Sequence, residues 1–257
     1  MPASPLMNIM LAAARKAGRS LARDFGEVEN LQVSVKGPGS FVTSADHRSE
    51  KILYEELAKA RHGYCFLMEE SGYVDGPDKS HTWIVDPLDG TENFLHGIPH
   101  FAISIGLQRD NELVAGLVYD PTNGDIYAAE RGKGAFFNDR RIRVSARRRF
   151  AQCVVAIGKP RRGIMQFHEL EQSVGGFRRT GAGALDLCWV AAGRYDAFIE
   201  EGIKPWDMAA GIVILREAGG FVCDINGGKE MLETNSIVAA NNQTMMRGMQ
   251  KLVAVSE

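Results

Sequence analysis

Two carboxylates, Asp86 and Asp89, stand close together in the run WIVDPLDGTENFLH, residues 83–96, where a short apolar segment stops. Trp83, Ile84 and Val85 are β-forming residues and predict the end of a buried strand. Pro87-Leu88-Asp89-Gly90 then has the composition of a tight turn. Like charges held this close repel unless a cation lies between them, and carboxylate oxygens suit a hard cation. Thr91-Glu92-Asn93-Phe94 predicts a short helix whose first N–H groups, at Gly90 and Thr91, would face an anion. One segment thus offers cation ligands beside an anion cradle, as metal-dependent phosphoester chemistry requires. The plain alternative is an ordinary β-turn in which Asp86 only ends a strand, and this stretch alone leaves both open.

Other acids stand where ordered backbone begins or ends. Glu69 follows the apolar run 64–68 as Asp86 follows its own, so two strand ends can converge on one ion. Asp207 lies between Trp206 and an apolar helical stretch, and Asp46 opens another helix near the loop Lys36-Gly37-Pro38-Gly39-Ser40. Glu69, Asp86, Asp89 and Asp207 would form an oxygen-only site suited to Mg²⁺, with room for water and a phosphate. Structural readings compete at each position. Asp207 reads equally as the N-cap of its helix, Asp46 as half of a capping box with Thr43, and Glu69-Glu70 as a solvated pair. Thr91 could simply cap its turn. A cap and a ligand role are compatible.

These residues need elements to hold them. Helical spacing of apolar residues predicts helices over 6–25 and 45–61. Residues 31–43 alternate weakly and break at the flexible loop 36–40. Strands are predicted at 64–68, 101–108, 113–119 and 126–130, with Asn123-Gly124 as a hairpin turn and a further hairpin through 132–144. Beyond that point strands (154–157, 177–180, 195–199, 221–225, 236–240) alternate with helices (165–175, 182–192, 207–218, 242–255). Gly219-Gly220 closes the helix that Asp207 opens. The pattern predicts an N-terminal α+β part, 1–146, and a C-terminal α/β part, 147–257, forming one catalytic unit.

The chain has 257 residues, 45% apolar and 24% charged, with net charge −2. That is enough to bury a large core, and it argues against nucleic-acid binding as the main activity. Six arginines at 140, 141, 143, 147, 148 and 149 predict a solvated hairpin edge, with RNA, an acidic partner or a subunit contact as alternatives. Cys65, Cys153, Cys188 and Cys223 are scattered, without metal-ligand spacing, and read as reduced thiols. With no apolar run of membrane-spanning length and no signal-like N-terminus, the expected location is the cytoplasm. His96 and His100 flank Pro99, which argues against a zinc pair on one helix face. Gly132-x-Gly134 lacks the third glycine of a dinucleotide loop. No P-loop or Gly-x-Ser-x-Gly elbow is present.

Taken together, WIVDPLDGTENF at 83–94, PWDMAAGIVILREAGG at 205–220, MEES at 68–71, FVTSAD at 41–46 and GKGAFFND at 132–139 resemble the inositol monophosphatase family of Mg²⁺-dependent, lithium-sensitive phosphatases. The resemblance covers nearly the whole chain. It implies a layered α-β-α-β-α sandwich, an α/β (α+β) fold of the inositol monophosphatase/fructose-1,6-bisphosphatase type, usually as a homodimer. It implies that Glu69, Asp86 and the Leu88 carbonyl hold one Mg²⁺, that Asp86, Asp89 and Asp207 hold a second, and that a third lies near Glu69. Leu88, Asp89, Gly90, Thr91 and Asp207 would line the phosphate side, with Gly90 and Thr91 binding through N–H groups. Glu69, Asp46 and Thr91 would act catalytically, Asp46 and Thr91 on the attacking water. Gly181, Ala182, Gly183 and Glu200 would contact the leaving alcohol, and the Lys36 loop would be mobile and close over the metals. The implied reaction is hydrolysis of inositol 1-phosphate or a related small phosphomonoester by metal-activated water. Fructose 1,6-bisphosphate, histidinol phosphate, adenosine 3′,5′-bisphosphate and NADP are the alternatives on this fold. Lys204, Glu201 and Ala182 depart from common members of the family, all on the alcohol side.

Overall fold

The first helix, α1 (Pro5–Phe25), begins with Ser4 accepting the Met7 N–H at 3.1 Å and Pro5 in the first turn, where the missing N–H costs nothing. This computed structural model describes residues 4–27, 33–37, 40–159 and 167–253. An antiparallel hairpin, β1 (Val33–Gly37) and β2 (Ser40–Thr43), leads into α2 (Ser44–Ala60). Lys36, expected in a loop, is therefore in strand β1. Its side chain and residues 38–39 of the expected loop lie outside the described residues, as do 31–32, 165–166 and 254–255 of the predicted elements.

The strands β3 (Tyr64–Met68), β4 (Gly72–Val74) and β5 (Asp78–Asp89) precede a one-turn helix, α3 (Thr91–Leu95). A meander follows: β6 (Ala102–Arg109), β7 (Glu112–Asp120), β8 (Asp125–Glu130), β9 (Ala135–Phe137) and β10 (Arg140–Ile142). These make one eight-stranded sheet, ordered β10-β9-β8-β7-β6-β5-β3-β4, in which only β3 and β5 run parallel. The remaining elements alternate: β11 (Val154–Ile157), α4 (Phe167–Ser173), β12 (Gly176–Arg178), α5 (Gly183–Ala191), β13 (Ala197–Glu201), α6 (Pro205–Glu217), β14 (Phe221–Cys223), α7 (Met231–Thr234), β15 (Ser236–Ala240) and α8 (Gln243–Val253). Their strands form a five-stranded sheet ordered β12-β11-β13-β15-β14.

Strand alternation explains the layering. Trp83, Val85, Ile103 and Ile105 face α1 and α2, while Ala102, Val118 and Tyr127 point to the opposite side, where α5 and α6 lie. In the smaller sheet, Phe198, Ile237 and Ala239 meet the α5–α6 layer, and Ala197, Val238 and Ala240 meet α8. Both faces of each sheet are covered, so the central strands read as continuous apolar runs rather than as alternating ones. The result is the α-β-α-β-α sandwich.

The α6 backbone lies unusually close to the large sheet. Gly106 and Gly116 pair across β6 and β7, and a Cβ at Gly116 would fall 2.3 Å from the Ala210 carbonyl oxygen. Backbone cannot retreat as a flexible side chain can. Gly116→Ala is therefore expected to push α6 off the sheet and to cost about 1–3 kcal/mol, the usual range for overpacking. Urea unfolding of the variant measures it; an unchanged midpoint would show that the contact is not tight.

Candidate active site

The long strand β5 continues through Pro87 instead of ending at Asp86. Asp86 faces Ser104 and Asp89 faces Ala102, so β5 carries one residue more than β6 over this interval. That is a bulge, one of the places where a strand accepts proline. The expected tight turn is thus a bulged strand end. The Pro87 carbonyl accepts the Ser49 hydroxyl at 2.8 Å and the Asp86 carboxylate accepts the Leu88 N–H at 2.8 Å. Gly90 then takes φ 89°, left-handed backbone, and precedes α3 as its N-cap.

Glu69 reaches the same place because β3 runs parallel to β5, with Met68 beside Val85 and the Glu69 N–H donating to the Val85 carbonyl at 3.3 Å. Buried Glu50 on α2 accepts the Glu70 N–H at 2.9 Å and the Ser71 hydroxyl, fixing the chain just after Glu69. Nothing in the sequence separates Glu50 from the other polar residues of its helix. Asp207 is not the N-cap of α6. Lys204 is, and the Asp207 carboxylate in the first turn accepts its N–H at 3.0 Å. An acid there also suits the positive end of the helix.

Asp86, Asp89 and Asp207 bring carboxylate oxygens within 4.8 Å of one another. Among the described residues none of the three has an ion-pair partner, and Asp86 is 1% exposed. Burial first, then the charges of Glu69, Asp207 and Asp89, hold the Asp86 carboxyl far above the ordinary carboxylate range. Burial and Asp207 do the same to Asp89, and burial raises Asp207. Two buried acids and a half-buried third, each held toward protonation by burial and offering only oxygen donors, fit a hard divalent cation.

Around this cluster is a cavity of about 780 Å³. It is lined by Glu69, Asp86, Leu88, Asp89, Gly90, Thr91 and Asp207, and also by Gly181, Ala182, Gly183 and Glu200. Asp46 is one bond behind that lining. Its carboxylate caps α2 by accepting the Thr43 N–H at 2.8 Å, and its other oxygen is 3.3 Å from the Thr91 hydroxyl. The Thr91 hydroxyl is also 3.1 Å from the Leu88 carbonyl. Capping and site proximity thus coexist at Asp46. Burial pushes Glu200 up to about 7, and its carboxyl lies against Gly158, where no other side chain would leave it room.

The chemical reading of the sequence did not single out Asn93, Lys159, Arg179, Thr180 or Asp186, which also border the cavity. Asn93 ties α3 to the segment before α5, donating to the Thr180 carbonyl at 2.9 Å and the His100 carbonyl at 2.8 Å. The partners lie too far apart along the chain for spacing to reveal them. Of the six arginines, 140, 141, 143, 148 and 149 are exposed as expected, but Arg147 binds buried Asp196. All four cysteines are free and buried. Among the described residues no helix is long and apolar enough to cross a membrane.

A sequence model described as the inositol monophosphatase family matches residues 3–257. The chain is 53% identical, over 98% of its length and 97% of the relative's, to an inositol-1-monophosphatase of Mesorhizobium japonicum. It is 43% identical, over 92% of its length and 91% of the relative's, to the Nus factor SuhB of Pasteurella multocida. Its fold superposes on the extragenic suppressor protein suhB of Bartonella henselae with a TM-score of 0.95 at 51% identity, covering 99% of this chain and all of that one.

Proposed function

The chain belongs to the inositol monophosphatase family of phosphoric monoester hydrolases, and from that premise we propose that it hydrolyses inositol 1-phosphate and related small phosphomonoesters with Mg²⁺ as cofactor. The observation that carries this reading is the Asp86–Asp89–Asp207 cluster, whose carboxylate oxygens lie close enough together to share a cation.

Glu69, Asp86, Asp89, Asp207 and the Leu88 carbonyl would hold two ions, with a third near Glu69. When bound, Mg²⁺ supplies charge neutralisation for the phosphate and makes a nearby water more acidic. The remaining work belongs to the chain. Backbone N–H groups at Gly90 and Thr91 orient the phosphate at the start of α3. Asp46 and Thr91, linked through the Thr91 hydroxyl, orient or deprotonate the attacking water. The 181–183 segment and Glu200 hold the departing alcohol. A cytoplasmic homodimer inhibited by lithium completes the proposal.

Purified protein is expected to release phosphate from inositol 1-phosphate only when Mg²⁺ is present, and to lose activity as Ca²⁺ competes for the same oxygens with looser geometry. A panel including fructose 1,6-bisphosphate, histidinol phosphate, adenosine 3′,5′-bisphosphate and NADP ranks the leaving groups. Silence on the whole panel at saturating Mg²⁺ would refute the enzyme.

A second reading has its own support. Some relatives bear the name Nus factor instead of that of a phosphatase, and five arginines are exposed along 140–149. On that reading the edge binds RNA or a transcription component without catalysis. Capture of RNA that is lost on neutralising those five arginines, by a protein that releases no phosphate from any ester of the panel, would support it.

A further inference from the structure

Asp186 lies in the first half of α5 and is 1% exposed, yet it borders the same cavity as Asp89 and Glu200. One carboxyl oxygen, Oδ2, accepts the Thr180 hydroxyl at 2.8 Å. The other, Oδ1, is buried without a hydrogen-bond partner. Its surroundings are otherwise well satisfied. The Thr180 carbonyl is held by Asn93, and the Ala184 N–H is taken by Asp89 at 2.8 Å. The segment from Thr180 to Ala184 is thus fixed from α3, from the bulged strand end and, through Thr180, from Asp186.

Buried polar atoms without partners are rare in native proteins, and each calls for a reason. At the wall of a ligand cavity, the simplest reason is that the partner arrives with the ligand. We propose that Asp186 determines specificity by forming, with Glu200, a pair of carboxyls that hydrogen-bonds the hydroxyls of a polyhydroxylated leaving alcohol. The inference rests on the phosphomonoesterase reading of the site and adds a residue to its alcohol side.

The chemistry of the pair favours hydroxyls over other groups. Burial pushes Asp186 up to about 8 and Glu200 up to about 7, so near neutral pH Asp186 retains an O–H while Glu200 is divided between its two forms. An acid O–H needs an acceptor and a carboxylate needs a donor. A sugar-type hydroxyl is both, whereas a hydrocarbon or aryl leaving group is neither. Protonation also spares Asp89 a further negative neighbour.

Steady-state kinetics with inositol 1-phosphate and cyclohexyl phosphate, which lacks the ring hydroxyls, tests the pair. Asp186→Leu removes both polar atoms at similar volume. It is expected to lower kcat/KM for inositol 1-phosphate at least about tenfold more than for cyclohexyl phosphate, mainly through KM. Asp186→Asn, which keeps a donor and an acceptor, should restore the wild-type ratio between the two esters. Asp186→Ala supplies the same comparison if the leucine variant does not fold. Equal losses on both esters would mean a structural role, and no loss on either would mean no role; each overturns the inference. Wild-type protein that hydrolyses neither ester would instead bring down the inositol 1-phosphate reading, and the inference with it.

Discussion

Replacing Asp86 with asparagine is expected to abolish Mg²⁺-dependent phosphate release while making the metal-free protein more stable than the wild type. Asp86 is 1% exposed at the centre of the acid cluster, where burial and three carboxylate neighbours hold its pKa far above 3.8. An acid whose pKa is higher in the folded than in the unfolded state binds more protons when folded. Its contribution to stability is therefore present at low pH and is lost as pH rises above the unfolded value. Chelated wild-type protein should melt at progressively lower temperature as pH is raised from about 4. An amide carries no charge at any of these pH values, so the variant should show a flatter profile and a higher Tm at pH 7.

Mg²⁺ reverses the comparison. A ligand at free concentration c that binds only the folded state stabilises it by RT ln(1 + c/Kd), so wild-type Tm should climb with added Mg²⁺. The variant loses an ionic ligand and should respond weakly. Turnover should fall by more than about 100-fold, the upper end of the loss seen when a residue that merely supports a metal ligand is changed. Thermal melts with and without Mg²⁺ across pH, run beside phosphate release, measure all of this. A variant that keeps wild-type turnover, or whose metal-free form is less stable at pH 7, would show that Asp86 is an ordinary strand-ending residue.

The layered fold and the metal-side acids were legible because their signals are local. Apolar runs at 64–68 and 83–85 mark two strands, and an acid directly after each identifies the end at which they meet. The segment Asp86 to Thr91 was legible as a candidate site for the same reason, being one continuous stretch. Its detailed form was not: Pro87 and Gly90 signal a turn, but pairing with β6 keeps Pro87-Leu88-Asp89 in strand and turns the extra residue into a bulge. Cross-strand pairing overrode turn propensity there. Strand β4 and the polar first half of β5 escaped notice because Gly72–Val74 is short and Asp78-Lys79-Ser80-His81 carries no apolar periodicity. Asp207 misled in a different way. Its capping interaction is real, but Pro205 and Trp206 already belong to the helix, so it sits in the first turn. Glu50, Asn93 and Asp186 were invisible as site residues, since each acts on a partner from another element or, for Asp186, through an oxygen that only tertiary packing buries.

Arg147 was grouped by sequence with the solvated arginines, and its actual use predicts the second large effect. Asp196 is fully buried and accepts Arg147 Nε through both carboxylate oxygens at 2.9 Å, the Val154 N–H at 2.8 Å, the Asn241 amide at 3.2 Å and the Ser145 hydroxyl. One carboxylate therefore joins the chain leaving β10 to the starts of β11 and β13 and to the residue after β15. Asp196→Ala would strand these donors beneath the smaller sheet, where each unsatisfied buried group costs about 1–3 kcal/mol. The Arg147 side chain, 40% exposed, can recover water, so the total should be about 3–5 kcal/mol, within the range for breaking a buried pair. Urea unfolding measures the loss, and a change below about 1 kcal/mol would show that the network relaxes at no cost. Asp196 does not line the catalytic cavity, so kcat/KM well below the midpoint temperature should stay within about threefold of wild type. The same geometry constrains any test of the arginine edge. Neutralising Arg147 along with its neighbours would unfold the junction and mimic a lost binding surface, so a binding defect is interpretable only when Arg140, Arg141, Arg143, Arg148 and Arg149 are changed and Arg147 is kept.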